Sequence, residues 1–294
     1  MAGHRRTRLA PGEMFPAHDA GYRVSYPTLR QGIRVRVIER GEPGAAPILF
    51  LSGWGSSVFG WRKNMPAVAD AGFRAIAADL KGSGLSDKPI GEPEYTSEAM
   101  ISHVGEILDA LSLERAALAG HSLAASLAYR FARRNVARVS SIVMMSPVGH
   151  AGLPHLGLYR LLTPRALRRL TPALCRRQLI EIALRRVYAG SNEFTEQEVD
   201  EYWAPSQFRE FAIAQRDILH AFNWHEPVEG ILSIPALLIL GGKDHLVGTD
   251  AIATYGKAIP DLEVRVVEGA GHAVPEQSAD AVNSALIRFL RSHQ

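Results

Sequence analysis

Cysteine is nearly missing from this sequence: Cys175 stands alone among 294 residues, so no internal disulfide framework can form. Set in an Arg-rich helical pattern, that thiol reads as a packing residue and not as a nucleophile. Long apolar runs are missing too. No stretch reaches the roughly 18 to 20 residues of a membrane span, and the first residues lack the apolar segment of a secretory signal. The expectation is a cytoplasmic protein with no integral membrane segment. Zinc-ligand spacing, a helix-turn-helix pattern and basic strands interleaved with aromatics are all absent, and the net charge is only +3. Neither a metal nor nucleic acid is therefore expected as a partner. Repeats and low-complexity tracts do not occur. What the chain does have is 47% hydrophobic content over a length that suits one large domain with an insertion.

Residues 1–22 carry Pro11, Gly12 and Pro16 among scattered charges and read as an arm ahead of the fold. Short apolar or alternating runs follow at 34–38, 47–51, 73–78, 116–119 and 140–145, separated by patterns such as 99–111 in which apolar residues recur at helical spacing. Strands alternating with helices predict an α/β fold with a mostly parallel sheet covered on both faces. After Ser146-Pro147 the alternation stops. Residues 149–233 read as consecutive helices, with Thr195 and Glu198 at capping-box spacing, and strand signals resume at Ile234-Pro235. The division expected is a core of 23–148 and 234–294 with a helical cap, 149–233, over the carboxyl ends of the strands, where an open α/β sheet places its ligands.

Within the cap, Arg160, Arg165, Arg168, Arg169, Arg176, Arg177, Arg185 and Arg186 recur largely in pairs at helical spacing. Such residues read as the solvated face of amphipathic helices. The alternative is a patch for an acidic partner, whether a substrate tail, a carrier protein or an anionic membrane surface.

Chemistry concentrates at Gly120-His121-Ser122-Leu123-Ala124, where an apolar strand ends and an alanine-rich helix begins. A sharp strand-to-helix turn lifts a serine hydroxyl clear of the sheet, and the helix N-terminus behind it offers free N–H groups to an oxyanion. Downstream, the apolar run 236–240 leads to Asp244, and the run 264–267 leads into a Gly-rich loop bearing His272. Each lies just past a strand end. The order Ser122, Asp244, His272 is a nucleophile, an acid and a base. A serine is too weak a nucleophile at neutral pH unless a base takes its proton, and an imidazole needs a carboxylate to orient it and stabilise its cation. His245 and Asp250 are second choices for the triad, and His121 reads as a packing residue.

Asp79-Leu80-Lys81-Gly82-Ser83-Gly84-Leu85-Ser86 resembles the Asp-x-x-Gly-x-Gly-x-Ser loop of the α/β-hydrolase superfamily. The branch is that of esterases, cofactor-free haloperoxidases, epoxide hydrolases and C–C hydrolases of meta-cleavage products. Ser52-Gly53-Trp54 is similar to that branch's His-Gly-x oxyanion loop. Two positions depart from the pattern: Ser52 where the family has histidine, and Ala124 where it has glycine. The resemblance implies an α/β-hydrolase fold, no cofactor, and an oxyanion hole made by the backbone N–H groups of Leu123 and Trp54. Trp54, Tyr202, Trp203, Phe222 and Trp224 are candidates to line an apolar pocket, although aromatics at helical spacing also serve as core.

The expected activity is that of a serine hydrolase cleaving an ester, lactone or thioester of an apolar small molecule through an acyl-enzyme. A C–C hydrolase of a diketone, a cyclase or lyase on the same fold, and a non-catalytic small-molecule receptor are the alternatives.

Overall fold

A computed structural model describes residues 8–17, 19, 21–152, 155–191 and 193–293. Eight strands form one sheet: β1 (Arg23–Ser25), β2 (Val37–Arg40), β3 (Pro47–Leu51), β4 (Arg74–Ala78), β5 (Ala116–His121), β6 (Val139–Met145), β7 (Ala236–Gly241) and β8 (Leu262–Val267). Their spatial order is β1-β2-β4-β3-β5-β6-β7-β8. β2 runs antiparallel to β1 and β4, and every other pairing is parallel. The helices are α1 (Met65–Asp70), α2 (Ser97–Ala110), α3 (Leu123–Arg134), α4 (Leu156–Leu162), α5 (Arg177–Val187), α6 (Glu196–Trp203), α7 (Arg209–Ala221), α8 (Asp250–Ala258), α9 (Val274–Gln277) and α10 (Ala279–Ser292).

Strand periodicity divides the core. Ile48 and Phe50 join Met65, Val68, Leu286 and Phe289 on one side of the sheet. Leu49 and Leu51, one residue out of phase, join Met100, Val104 and Leu127 on the other. The central strands are buried on both faces, so they read as unbroken apolar runs. Full burial of each such side chain is worth about 1.5 to 3 kcal/mol. Helix α2 starts where Thr96 accepts a hydrogen bond from Ala99 N, and α6 opens on the expected Thr195 and Glu198 capping box.

One predicted strand shifts. The run 34–38 becomes β2 at Val37–Arg40, because Arg34 and Arg36 bond to a loop instead of a ladder. Arg34 exchanges backbone and side-chain hydrogen bonds with Asp87, and Arg36 N–H donates to Ser86 Oγ. The described part of residues 1–22 is packed down: Met14 and Tyr22 are buried, and Phe15 O accepts from Arg36 Nη1 while Phe15 N–H donates to Glu201 Oε1.

Between β6 and β7 the chain runs through α4 to α7, with a 3-10 helix at Arg165–Leu174. Helix α7 crosses the carboxyl ends of β3 and β4, since Gln215 bonds to Gly55 and Gly82 just past them. Among the described residues no helix is long and apolar enough to cross a membrane.

Candidate active site

The turn after β5 is forced by crowding. A Cβ at Gly120 would lie 2.4 Å from Ala124 O and 2.6 Å from Ala125 Cα, so only glycine lets α3 fold back against the strand. Ser122 then adopts φ 57° and ψ −120°, a strained conformation for a residue with a side chain, held by Ser122 N–H donating to Met145 O at 2.9 Å. That strain is what raises the hydroxyl above the sheet. The tight approach falls on Gly120, while the Ala124 methyl is buried in the core on the α3 side of the sheet.

Three loops bring the expected residues together. His272 Nε2 lies 2.9 Å from Ser122 Oγ, and His272 Nδ1 lies 2.8 Å from Asp244 Oδ2. The other Asp244 oxygen accepts from Leu246 N and Val247 N, so the carboxylate is fixed at both ends. Burial pushes the Asp244 carboxyl up, but its hydrogen bond to His272, the charge on that ring and the two backbone donors outweigh burial and hold it below the usual range. Asp244 is therefore ionised at neutral pH. Asp250 lies apart from these three, 63% exposed with Oδ2 3.4 Å from His150 Nε2, and His245 is on the surface.

His121 does more than pack. Its Nε2 sits 2.7 Å from the carbonyl oxygen of His272, which only accepts, so Nε2 carries the proton. Burial, reinforced by the neighbouring His272, pushes His121 down to about 3, which keeps it neutral. A neutral donor thus fixes the backbone of His272. Behind the base loop, Ala273 N–H donates to Val187 O, and Arg62 pairs with both Glu276 and Glu198.

The loop Ser52-Gly53-Trp54, expected to form the oxyanion hole, passes directly over the serine: a Cβ at Gly53 would lie 3.0 Å from Ser122 Cβ. Among the described residues neither Trp54 N–H nor Leu123 N–H has a hydrogen-bond acceptor. Ser52, the residue that departs from the family pattern, closes this loop by donating from Oγ to Ser57 O at 2.6 Å. Asp79, fully buried, accepts from Val58 N, Leu85 N and Arg36 Nε, joining the oxyanion loop to the glycine-rich loop. Gly84, at φ +46°, leaves no room for a Cβ, which would stand 2.0 Å from that carboxylate.

Sequence reasoning missed Gln215. From the buried middle of α7 its side chain accepts from Gly55 N and donates to Gly82 O, while its main-chain oxygen accepts from Trp54 Nε1. One residue of α7 staples both loops. The sequence carried no signal for it, since Gln215 stands beside Arg216 and Asp217 in the same buried stretch, residues 211–219.

The aromatic candidates divide. Tyr202 is taken up by its hydrogen bond to Glu276, and Trp203 donates to Cys175 O beneath the Arg8 guanidinium, so neither is free to line a cavity at Ser122. Phe222 is core. Trp54 is partly exposed beside Ser122, and Trp224, almost wholly buried, packs against it with the ring centroids 5.7 Å apart. Among the described residues no three His, Cys, Asp or Glu side chains gather as a metal site.

The family model for the alpha/beta hydrolase fold matches residues 46–279. A dihydrolipoyllysine-residue acetyltransferase component of the acetoin cleaving system of Pseudomonas putida is 31% identical over 89% of this chain and 68% of its own length. Epoxide hydrolase A of Mycobacterium tuberculosis is 24% identical over 88% of this chain and 94% of its own. Among solved structures, an epoxide hydrolase from an endophytic Streptomyces superposes with a TM-score of 0.78 at 22% identity, covering 93% of this chain and 96% of that one. An epoxide hydrolase of Vigna radiata does so at 0.76 and 20%, over 92% and 98%. Sheet order, elbow and family match agree: the chain belongs to the α/β-hydrolase family.

Proposed function

We propose that this α/β-hydrolase cleaves an ester, lactone or thioester of an apolar small molecule through an acyl-enzyme on Ser122. The observation that carries this reading is the continuous chain of hydrogen bonds from Ser122 Oγ to His272 Nε2, 2.9 Å, and from His272 Nδ1 to Asp244, 2.8 Å. Residues 149–233 act as the cap over a core of 23–148 and 234–294.

As Ser122 Oγ attacks the carbonyl carbon, His272 takes its proton and Asp244 stabilises the imidazolium. Negative charge moves to the carbonyl oxygen. The unpartnered N–H groups of Leu123 and Trp54 receive it, each worth about 3 to 4 kcal/mol in such chemistry. His272 then protonates the leaving group, and water activated by the same ring releases the acid. The acyl group lies against Trp54, backed by Trp224.

Several relatives are named epoxide hydrolases, which makes epoxide opening the second reading. Here the residue at the elbow decides. Attack by a serine oxygen on an epoxide carbon gives an ether, which water does not cleave under these conditions, whereas attack on a carbonyl gives an ester that water does cleave. A carboxylate nucleophile would escape this trap, and the elbow carries a hydroxyl. The name of the Pseudomonas relative refers to acetyl transfer, which is also acyl chemistry.

The test pairs p-nitrophenyl butyrate with styrene oxide. The enzyme turns over the ester, Ser122→Ala lowers kcat by several orders of magnitude with an unchanged urea midpoint, and no diol accumulates. Diol formation without ester turnover would overturn the assignment.

A further inference from the structure

Among the described residues, eight of the fifteen large apolar side chains left exposed lie between residues 158 and 182. Leu158, Leu161 and Leu162 of α4, Leu167 and Leu170 of the 3-10 helix and Ile182 of α5 are each more than half exposed, Leu161 at 75%. The three leucines of α4 are spaced i, i+3, i+4 and share one face. An amphipathic cap helix was expected to turn its apolar face inward. Here the leucines face out with the charges.

Those charges have one sign. Over residues 155–191 eight arginines accompany a single acid, Glu181. Arg165, Arg168, Arg177 and Arg185 hold carboxylates. Arg160 and Arg186 bond only to neutral oxygens, and Arg169 and Arg176 are exposed without a carboxylate partner among the described residues.

We propose that this face docks peripherally on an anionic lipid bilayer, with its arginines over the headgroups and its leucines in the boundary with the acyl chains. Charge selects this occupant over a second copy, because a two-fold contact would press the arginines that hold no carboxylate against those of the other copy. Form selects it over an acidic protein. The exposed leucines come from three separate elements, a spread that a fluid interface accepts without a shaped pocket. The inference is independent of the chemistry at Ser122.

The test is flotation of the full chain with vesicles of phosphatidylcholine alone and of phosphatidylcholine mixed with phosphatidylglycerol, at low and high salt. Binding is expected only to the mixed vesicles and weakens with salt. Each basic side chain near an anionic surface is worth roughly fivefold in partitioning, so Arg169→Ala with Arg176→Ala lowers binding on the order of 20-fold. Leu161→Gln with Leu170→Gln lowers it at constant charge, and both double variants keep the wild-type melting temperature. The proposal fails if the mixed vesicles are not bound, if neutral vesicles bind equally, or if either variant binds as wild type. It also fails if sedimentation shows a dimer that the leucine variant dissociates, or if polyglutamate is retained while vesicles are not.

Discussion

The two halves of the helical stretch between β6 and β7 are built on opposite principles. In residues 155–191 most of the leucines are exposed, and among the described residues the ties to the His272 loop come from the end of α5, where Ala273 N–H donates to Val187 O and Leu184 and Tyr188 pack against Ala273. In residues 193–222 the helices are wired inward. Gln215 holds the oxyanion and glycine-rich loops, Glu198 and Tyr202 meet Arg62 and Glu276, and Glu201 accepts from Phe15 N–H. Helices of similar length in one insertion thus do different work. The second half frames the loops around Ser122, and the first half, apart from the end of α5, is a surface.

The largest effect that sharpens this contrast is expected at Gln215. Gln215→Ala leaves the Gly55 N–H and Gly82 carbonyl without their partner, costing about 1 to 3 kcal/mol of stability. Because the oxyanion loop loses its anchor, kcat for an ester falls roughly 10- to 100-fold with little change in KM, as suits a donor that matters where charge has developed. Steady-state kinetics beside a urea titration separate the two effects. A drop in stability with both constants intact would reduce Gln215 to a packing residue.

A smaller effect, dependent on pH, is expected at Glu201. Burial pushes this carboxyl up from 4.5 to about 7. The folded protein then holds the proton more tightly than the unfolded chain, so the contribution to stability is full below pH 4.5 and is lost as pH rises toward 7. Glu201→Gln keeps an oxygen for Phe15 N–H and cannot ionise. Its urea-derived stability matches wild type at pH 4.5 and exceeds it at pH 8 by up to about 3 kcal/mol. Parallel pH profiles for the two proteins would contradict this.

The smallest effect belongs to the first half. Leu161→Gln with Leu170→Gln changes stability by less than about 0.5 kcal/mol and leaves kcat for a water-soluble ester unchanged. A loss comparable to that of Gln215→Ala would erase the distinction between the halves.

The same contrast shows what a sequence discloses. The strands of the sheet interior were legible to within a few residues, because burial on both faces leaves unbroken apolar runs, whereas β1, three exposed residues, left no such trace. Ser122, Asp244 and His272 were legible because each follows a strand end, where backbone geometry makes position in sequence a guide to position in space. Gln215 and the role of His121 were not. Each depends on a hydrogen-bond partner more than 100 positions away, His121 to His272 and Gln215 to Gly55 and Gly82, and no local pattern encodes such a meeting. Helical spacing equally failed to tell Tyr202 and Trp203 from pocket residues, since an aromatic that joins a buried polar network has the same spacing as one that lines a cavity. At the elbow the close approach falls on Gly120, where an added Cβ would meet the α3 backbone at Ala124 and Ala125.

The central claim is an acyl group carried on Ser122, and peptide mass mapping after rapid quenching of the enzyme with p-nitrophenyl butyrate tests it most directly. One butyryl group is expected on the peptide that contains Ser122, appearing within the first turnover and absent from Ser122→Ala. Ester turnover that persists in Ser122→Ala, or an unmodified Ser122 peptide during wild-type turnover, would contradict it.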